Sequence, residues 1–137
     1  MSMTRIWERL FCGSLDDANQ LAEANPHRIT TVISLCNATP VNHTKRVNYL
    51  HIPIDDTRPV PVGSFDRVMG GMAENIRWGS ILVHCESGSV RAPLMVACYM
   101  DVVGYKNLDK ALAEVSALRP VTSTSVVLIK SVKKHLR

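Results

Sequence analysis

Aromatic side chains are scarce in this 137-residue chain, with two Phe, three Tyr and two Trp, and they form no ladder through a basic stretch. Surfaces that stack bases need such rings, so no nucleic-acid partner is expected. No apolar run approaches the ~20 residues that cross a bilayer. The opening Met-Ser-Met-Thr-Arg also lacks the apolar region of a signal peptide. No membrane association is expected, and the expected location is cytoplasmic. The four cysteines (Cys12, Cys36, Cys85, Cys98) are dispersed without Cys-x-x-Cys spacing, which points to neither a zinc site nor a secreted disulfide framework. No repeat and no linker-like stretch divides the sequence, so residues 1–137 are expected to form one domain.

What remains is ordinary material for a packed core: apolar residues make up 46% and charged residues 20% of the chain. The net charge of +4 favours anionic partners without identifying one. The basic residues cluster only near the end (Lys130, Lys133, Lys134, His135, Arg137), where a solvated helix face accounts for them.

Patterning gives the order of elements. Arg5 to Cys12 reads as one strand ending at Gly13. Ser14 is placed to cap a helix with Asp16 and Asp17 in its first turn and Leu15, Ala18, Leu21 and Ala22 as its apolar stripe. Asn25-Pro26 stops it. Ile29 to Cys36 and Val47 to Ile54 read as strands. Phe65, Val68, Met69, Met72 and Ile76 recur at helical spacing and predict a helix over Ser64 to Trp78. A strand through Ile81, Leu82 and Val83 follows, then a helix from Arg91 to Val103 closed by Gly104. Leu108, Ala111, Leu112, Val115 and Leu118 mark another helix, and Ser123 is placed to cap a last one through Val126, Val127, Ile129, Val132 and Leu136. The order β-α-β-β-α-β-α-α-α predicts an α/β fold with a mixed, largely parallel central sheet flanked by helices. Ligands of such sheets bind beyond the carboxyl ends of the strands.

One such end carries the chemistry. Ser80 to Pro93 reads Ser-Ile-Leu-Val-His-Cys-Glu-Ser-Gly-Ser-Val-Arg-Ala-Pro: strand, Gly-containing turn, helix. Amides in a turn of this kind converge on one point, faced by the positive end of the helix, and make an anion cradle. Cys85 lies at its base and Arg91 at its far lip, where a guanidinium fork holds two phosphate oxygens. Glu86, Ser87, Gly88, Ser89, Val90 and Arg91 would bind the phosphate, with Gly88 in a left-handed conformation. A cysteine at a strand end is also an ordinary small hydrophobe. His84, Gly88 and the flanking strand and helix favour the chemical reading over that one.

The segment His84-Cys85-x-x-Gly88-x-x-Arg91 resembles the signature of the cysteine-dependent protein tyrosine phosphatases, and the short chain is most similar to the dual-specificity branch. The element order resembles that fold from end to end. The resemblance implies hydrolysis of phosphate monoesters through a phosphocysteine intermediate, with no metal and no cofactor. Cys85 would be the nucleophile, Arg91 the phosphate ligand, and His84 a support that bonds nearby backbone. Matching Tyr49-Leu50-His51-Ile52 to the family's strand puts the general acid at Asp56, with Asp55 as the alternative. Where the family usually has Ser or Thr after the arginine, this chain has Ala92. A cysteine matching Cys36 pairs reversibly with the nucleophile in some lipid-phosphatase relatives, which makes Cys36 a candidate redox partner.

The expected substrates are phosphorylated proteins or peptides, carrying phosphotyrosine and also phosphoserine or phosphothreonine, handled by a monomer. Arg58 and Arg119 are expected to flank the mouth. Glu86 and the absence of Lys in the loop weigh against a phosphoinositide or an RNA 5′-triphosphate, which remain alternatives. A phosphate-binding module with little turnover is the alternative that Ala92 raises.

Overall fold

The computed structural model describes residues 2–137. Its elements are β1 (Thr4–Trp7), β2 (Leu10–Gly13), α1 (Leu15–Gln20), β3 (Ile29–Ser34), β4 (Asn48–His51), α2 (Val62–Asn75), β5 (Ser80–His84), α3 (Arg91–Val102), α4 (Leu108–Leu118) and α5 (Val126–His135). The strands form one five-stranded sheet in the order β1-β2-β5-β3-β4. β1 pairs antiparallel with β2, and all other pairs are parallel, which bears out the mixed, largely parallel sheet. None of the described helices is long and apolar enough to cross a membrane.

Alternation along the strands divides the core in two. Leu10, Cys12, Ile33, Ile81 and Val83 face the larger cluster, built with α2, α3, α4 and α5. Phe11, Ile29, Val32 and Leu82 face a smaller one with Ala18 and Leu21 at α1. Fully burying a side chain such as Leu82 or Ile33 stabilises the fold by about 1.5–3 kcal/mol. α3 is buried from Ala92 through Met100, as a helix enclosed on all sides must be. It ends in a Schellman motif: Gly104, at φ 78°, donates to Asp101 O at 2.9 Å and Tyr105 N–H donates to Met100 O at 2.9 Å.

Three expectations are corrected. The single strand over Arg5 to Cys12 is a hairpin, reversed at Glu8-Arg9. Arg9 O accepts the Ile81 amide at 2.8 Å and its guanidinium reaches Ile76 O and Arg77 O, so tertiary bonds hold this turn. The stripe on α1 shortens to Ala18 and Leu21, with Leu15 half-buried and Ala22 exposed beyond the helix end. The cap of α5 is Ser125, whose hydroxyl accepts the Leu128 amide at 3.3 Å, and Ser123 is used elsewhere. The Ser14 cap holds, as a reciprocal box with Asp17.

Candidate active site

β5 is the middle strand, and its register sets Gly13 on one side and Ser34 on the other level with His84. The chain that leaves β5 at Cys85 therefore turns between the ends of β2 and β3. Its carbonyls are drawn away into the surroundings. Glu86 O accepts from Leu15 N–H at 3.0 Å, Gly88 O from Arg119 Nε at 2.8 Å, and Ser89 O from Ser123 N–H at 2.8 Å. In a planar trans peptide the next N–H points opposite to the carbonyl. Among the described residues, no amide from Glu86 through Arg91 donates to a protein acceptor. A run of unpartnered donors ahead of the α3 N-terminus can hold an anion. Gly88 is required here: at φ +72°, a Cβ would lie 2.5 Å from Arg119 Nη2 and 2.6 Å from Gly13 O. The Ser87 and Ser89 hydroxyls bond each other at 2.6 Å, and Val90 O caps back to Leu94 N–H at 3.2 Å.

Cys85 is 2% exposed, and its Sγ accepts the Ala92 amide at 3.4 Å. Ala92 thus reaches the sulfur through its backbone alone. His84 is fully buried and bonds backbone, as expected of a support: Nδ1–H donates to Cys85 O at 3.0 Å. That fixes the ring hydrogen on Nδ1, so Nε2 accepts the Ser34 hydroxyl at 2.6 Å. Burial pushes the imidazole below its ordinary pKa, against the pull of the Cys85 carbonyl, so it stays neutral.

Arg91 is half-buried at the start of α3, and its Nη1 donates to Ile54 O at 3.0 Å. Ile54 immediately precedes the two aspartates, so the arginine ties their loop to the cradle. The two acids differ. Asp55 Oδ1 accepts the Thr57 hydroxyl at 2.6 Å and the Thr57 amide at 2.8 Å, and these bonds hold its carboxyl below the ordinary range. Arg58, on the exposed loop, pairs weakly with Asp55 at 3.8 Å. Asp56 is exposed and, among the described residues, takes no hydrogen bond. One acid is committed to a turn; the other is available.

Cys36 is 2% exposed, one residue past Leu35, whose amide donates to His84 O at 2.9 Å. Its S–H donates to Ala38 O at 3.0 Å. Burial pushes this thiol up, Arg91 pulls it down, and Cys85 is near enough to raise it further. Arg119 departs from expectation: it is 1% exposed and lies beneath the loop, not at its mouth. Ser34, Leu15 and Ser123, which also shape the site, carry no sequence signal, because each acts through a tertiary contact or a backbone amide.

With this geometry in view, the family is clear. A model of the Swiss Army Knife protein DSP-PTPase phosphatase domain (PTP-SAK) matches residues 9–134. Dual specificity protein phosphatase 15 of Mus musculus is 27% identical over 123 residues, covering 88% of this chain and 52% of that protein. Dual specificity protein phosphatase 2 of Homo sapiens is 26% identical over 116 residues, covering 83% of this chain and 37% of that protein. The chain thus spans about half of one of these relatives and about a third of the other. A crystal structure of DUSP15 superposes with a TM-score of 0.87 at 25% identity, covering 98% of this chain and 87% of that one. Human DUSP28, at 23% identity and a TM-score of 0.83 over 97% and 94% of the two chains, shares the fold. The match over nearly the whole sequence, and a sheet whose middle strand leads into the Cys85 to Arg91 turn, identify the chain as a member of the DSP-PTPase phosphatase-domain family, in its dual-specificity branch.

Proposed function

We propose that this domain hydrolyses phosphate monoesters on proteins, phosphotyrosine together with phosphoserine and phosphothreonine, by way of a phosphocysteine on Cys85. The observation that carries the reading is the run of amides from Glu86 to Arg91, unpartnered among the described residues, directly between a buried cysteine and the N-terminus of α3. Amides, helix end and the Arg91 guanidinium together stabilise both a bound phosphate and a thiolate beneath it.

In the first step the Cys85 sulfur attacks phosphorus, the P–O bond to the substrate breaks, and Asp56 gives its proton to the leaving oxygen. A positioned acid of this kind contributes about 10²–10⁴ in rate. The free carboxyl of Asp56, beside the turn-bound Asp55, supports this assignment. In the second step the Asp56 carboxylate takes a proton from water, the water oxygen bonds phosphorus, and the P–S bond breaks to return Cys85 and free phosphate. Arg91 and the loop amides hold the equatorial oxygens throughout. We propose the cytoplasm as the place of action.

The test is hydrolysis of p-nitrophenyl phosphate under reducing conditions with EDTA. Wild type turns over, Cys85→Ser does not, and Asp56→Asn is strongly slowed. A second reading follows from Ala92, which offers no hydroxyl to the sulfur: a module that holds phosphate with little turnover. Wild type that binds inorganic phosphate yet leaves p-nitrophenyl phosphate intact decides for that reading.

A further inference from the structure

Among the described residues, Arg119 is a cation that the fold encloses without a paired anion. It is 1% exposed, and among the described residues no carboxylate oxygen lies within 4.0 Å of it. Its donors go to neutral acceptors: Nε to Gly88 O at 2.8 Å, Nη1 to Ser2 O at 3.0 Å and to Thr4 Oγ1 at 2.9 Å. Asp17 is the acid of this region, raising the Cys12 thiol where Arg119 lowers it, but its Oδ2 is taken by the Ser14 amide and hydroxyl. Burying an unpaired charge costs several kcal/mol even after relaxation. A fold that keeps one gains when something negative arrives beside it.

Two contacts say where that is. The guanidinium bonds the Gly88 carbonyl, and its Nη2 occupies the space a Gly88 side chain would need. Gly88 C=O and Ser89 N–H belong to one planar peptide, so drawing the carbonyl toward Arg119 aims the amide the other way. Polarising that carbonyl also makes the amide a stronger donor. Resting on the reading of the Cys85 to Arg91 turn as an oxyanion site, we propose that Arg119 is the second cation of that site, a positioning residue that never touches the oxyanion and lends its charge through the Gly88–Ser89 peptide.

Titration calorimetry of the full chain with inorganic phosphate, in reducing buffer, tests this with Arg119→Lys and Arg119→Gln. Both exchanges lose the guanidinium fork, but only the lysine keeps the charge. Arg119→Lys is expected within about threefold of wild type and Arg119→Gln weaker by about tenfold or more, equal to about 1.4 kcal/mol. The contrast persists at high salt, because a buried charge is little screened. A merely structural role lowers the melting temperatures of both variants and leaves the phosphate affinity of the folded proteins alike. Equal affinity of Arg119→Gln and wild type, or an equal loss in both variants, overturns the proposal and leaves the oxyanion site standing. Wild type that binds no phosphate overturns both. Should Arg119→Gln not fold, the Arg119 Nε–H resonance of wild type decides: phosphate shifts it downfield and slows its exchange, and an unmoved signal overturns the proposal.

Discussion

Replacing Ala92 by Ser probes the second half of the proposed reaction. Ala92 is buried at the first turn of α3, and its amide is the one hydrogen-bond donor to Cys85 Sγ among the described residues, at a long 3.4 Å. When water splits the phosphocysteine, negative charge returns to that sulfur, so an added donor accelerates this step and not the first. A seryl hydroxyl on the same residue supplies it. A hydrogen bond to a charged acceptor is worth about 1.5–3 kcal/mol, or about ten- to hundredfold in rate. The added oxygen enters a close-packed position, and that strain is read in the melting temperature. Stopped-flow mixing with saturating p-nitrophenyl phosphate separates the steps. Wild type releases a burst of nitrophenol equal to the enzyme, then turns over slowly. In Ala92→Ser the slow phase rises toward the burst rate, while the burst itself changes by less than about twofold. Progress curves of wild type that are linear from the first turnover refute the reasoning, as does an unchanged steady-state rate in a folded Ala92→Ser.

Asp56→Asn lowers kcat by about 10²–10⁴ with p-nitrophenyl phosphate replaced by a poorer alkyl leaving group, while Asp55→Asn, which disturbs only the Thr57 turn, stays within about tenfold; equal losses would reverse the assignment. Because His84 is held neutral by burial with its pKa lowered, the unfolded chain binds the extra proton first. Its contribution to stability is complete above about pH 6.5 and is lost as the pH falls through the lower folded value, so the melting temperature declines on that side, and less so in His84→Asn. A pH slope identical in the two proteins would show that other groups cause it. Peroxide is expected to join Cys85 to Cys36 in a bond that thiols reverse, whereas Cys36→Ser is inactivated beyond rescue. Peptide mapping that finds oxidised Cys85 without a Cys36 partner excludes that pairing.

Local signals carried most of the architecture. α4 was legible to the residue from its apolar spacing, and α3 from Arg91 and Gly104, because helical period and stop lie close together in the chain. The strand, turn and helix that carry Cys85, Gly88 and Arg91 were legible for the same reason, being one continuous stretch. What escaped was tertiary. The Glu8-Arg9 reversal has no Gly, Asn or Pro, and, among the described residues, Arg28 is the one non-glycine with positive φ. The turn exists because β5 donates to it and the residues just past α2 accept from it. Arg119 was expected to flank the mouth of the site, since nothing nearby in sequence announces that Gly88, Ser2 and Thr4 will surround it. Ser34 similarly reads as one more polar residue in a strand until β3 sets it level with His84.

The bond from Arg91 to Ile54 changes how any exchange at that arginine must be read. In the proposed reaction one side chain is both a ligand for the oxyanion and a latch on the loop that carries the acid. Loosening it withdraws the acid at the same moment as it weakens phosphate. Arg91 and Asp56 should therefore behave as a single thermodynamic unit: with either one gone, removing the other costs little more. In the proposed reaction, holding the phosphate and being ready to protonate its leaving group become one event.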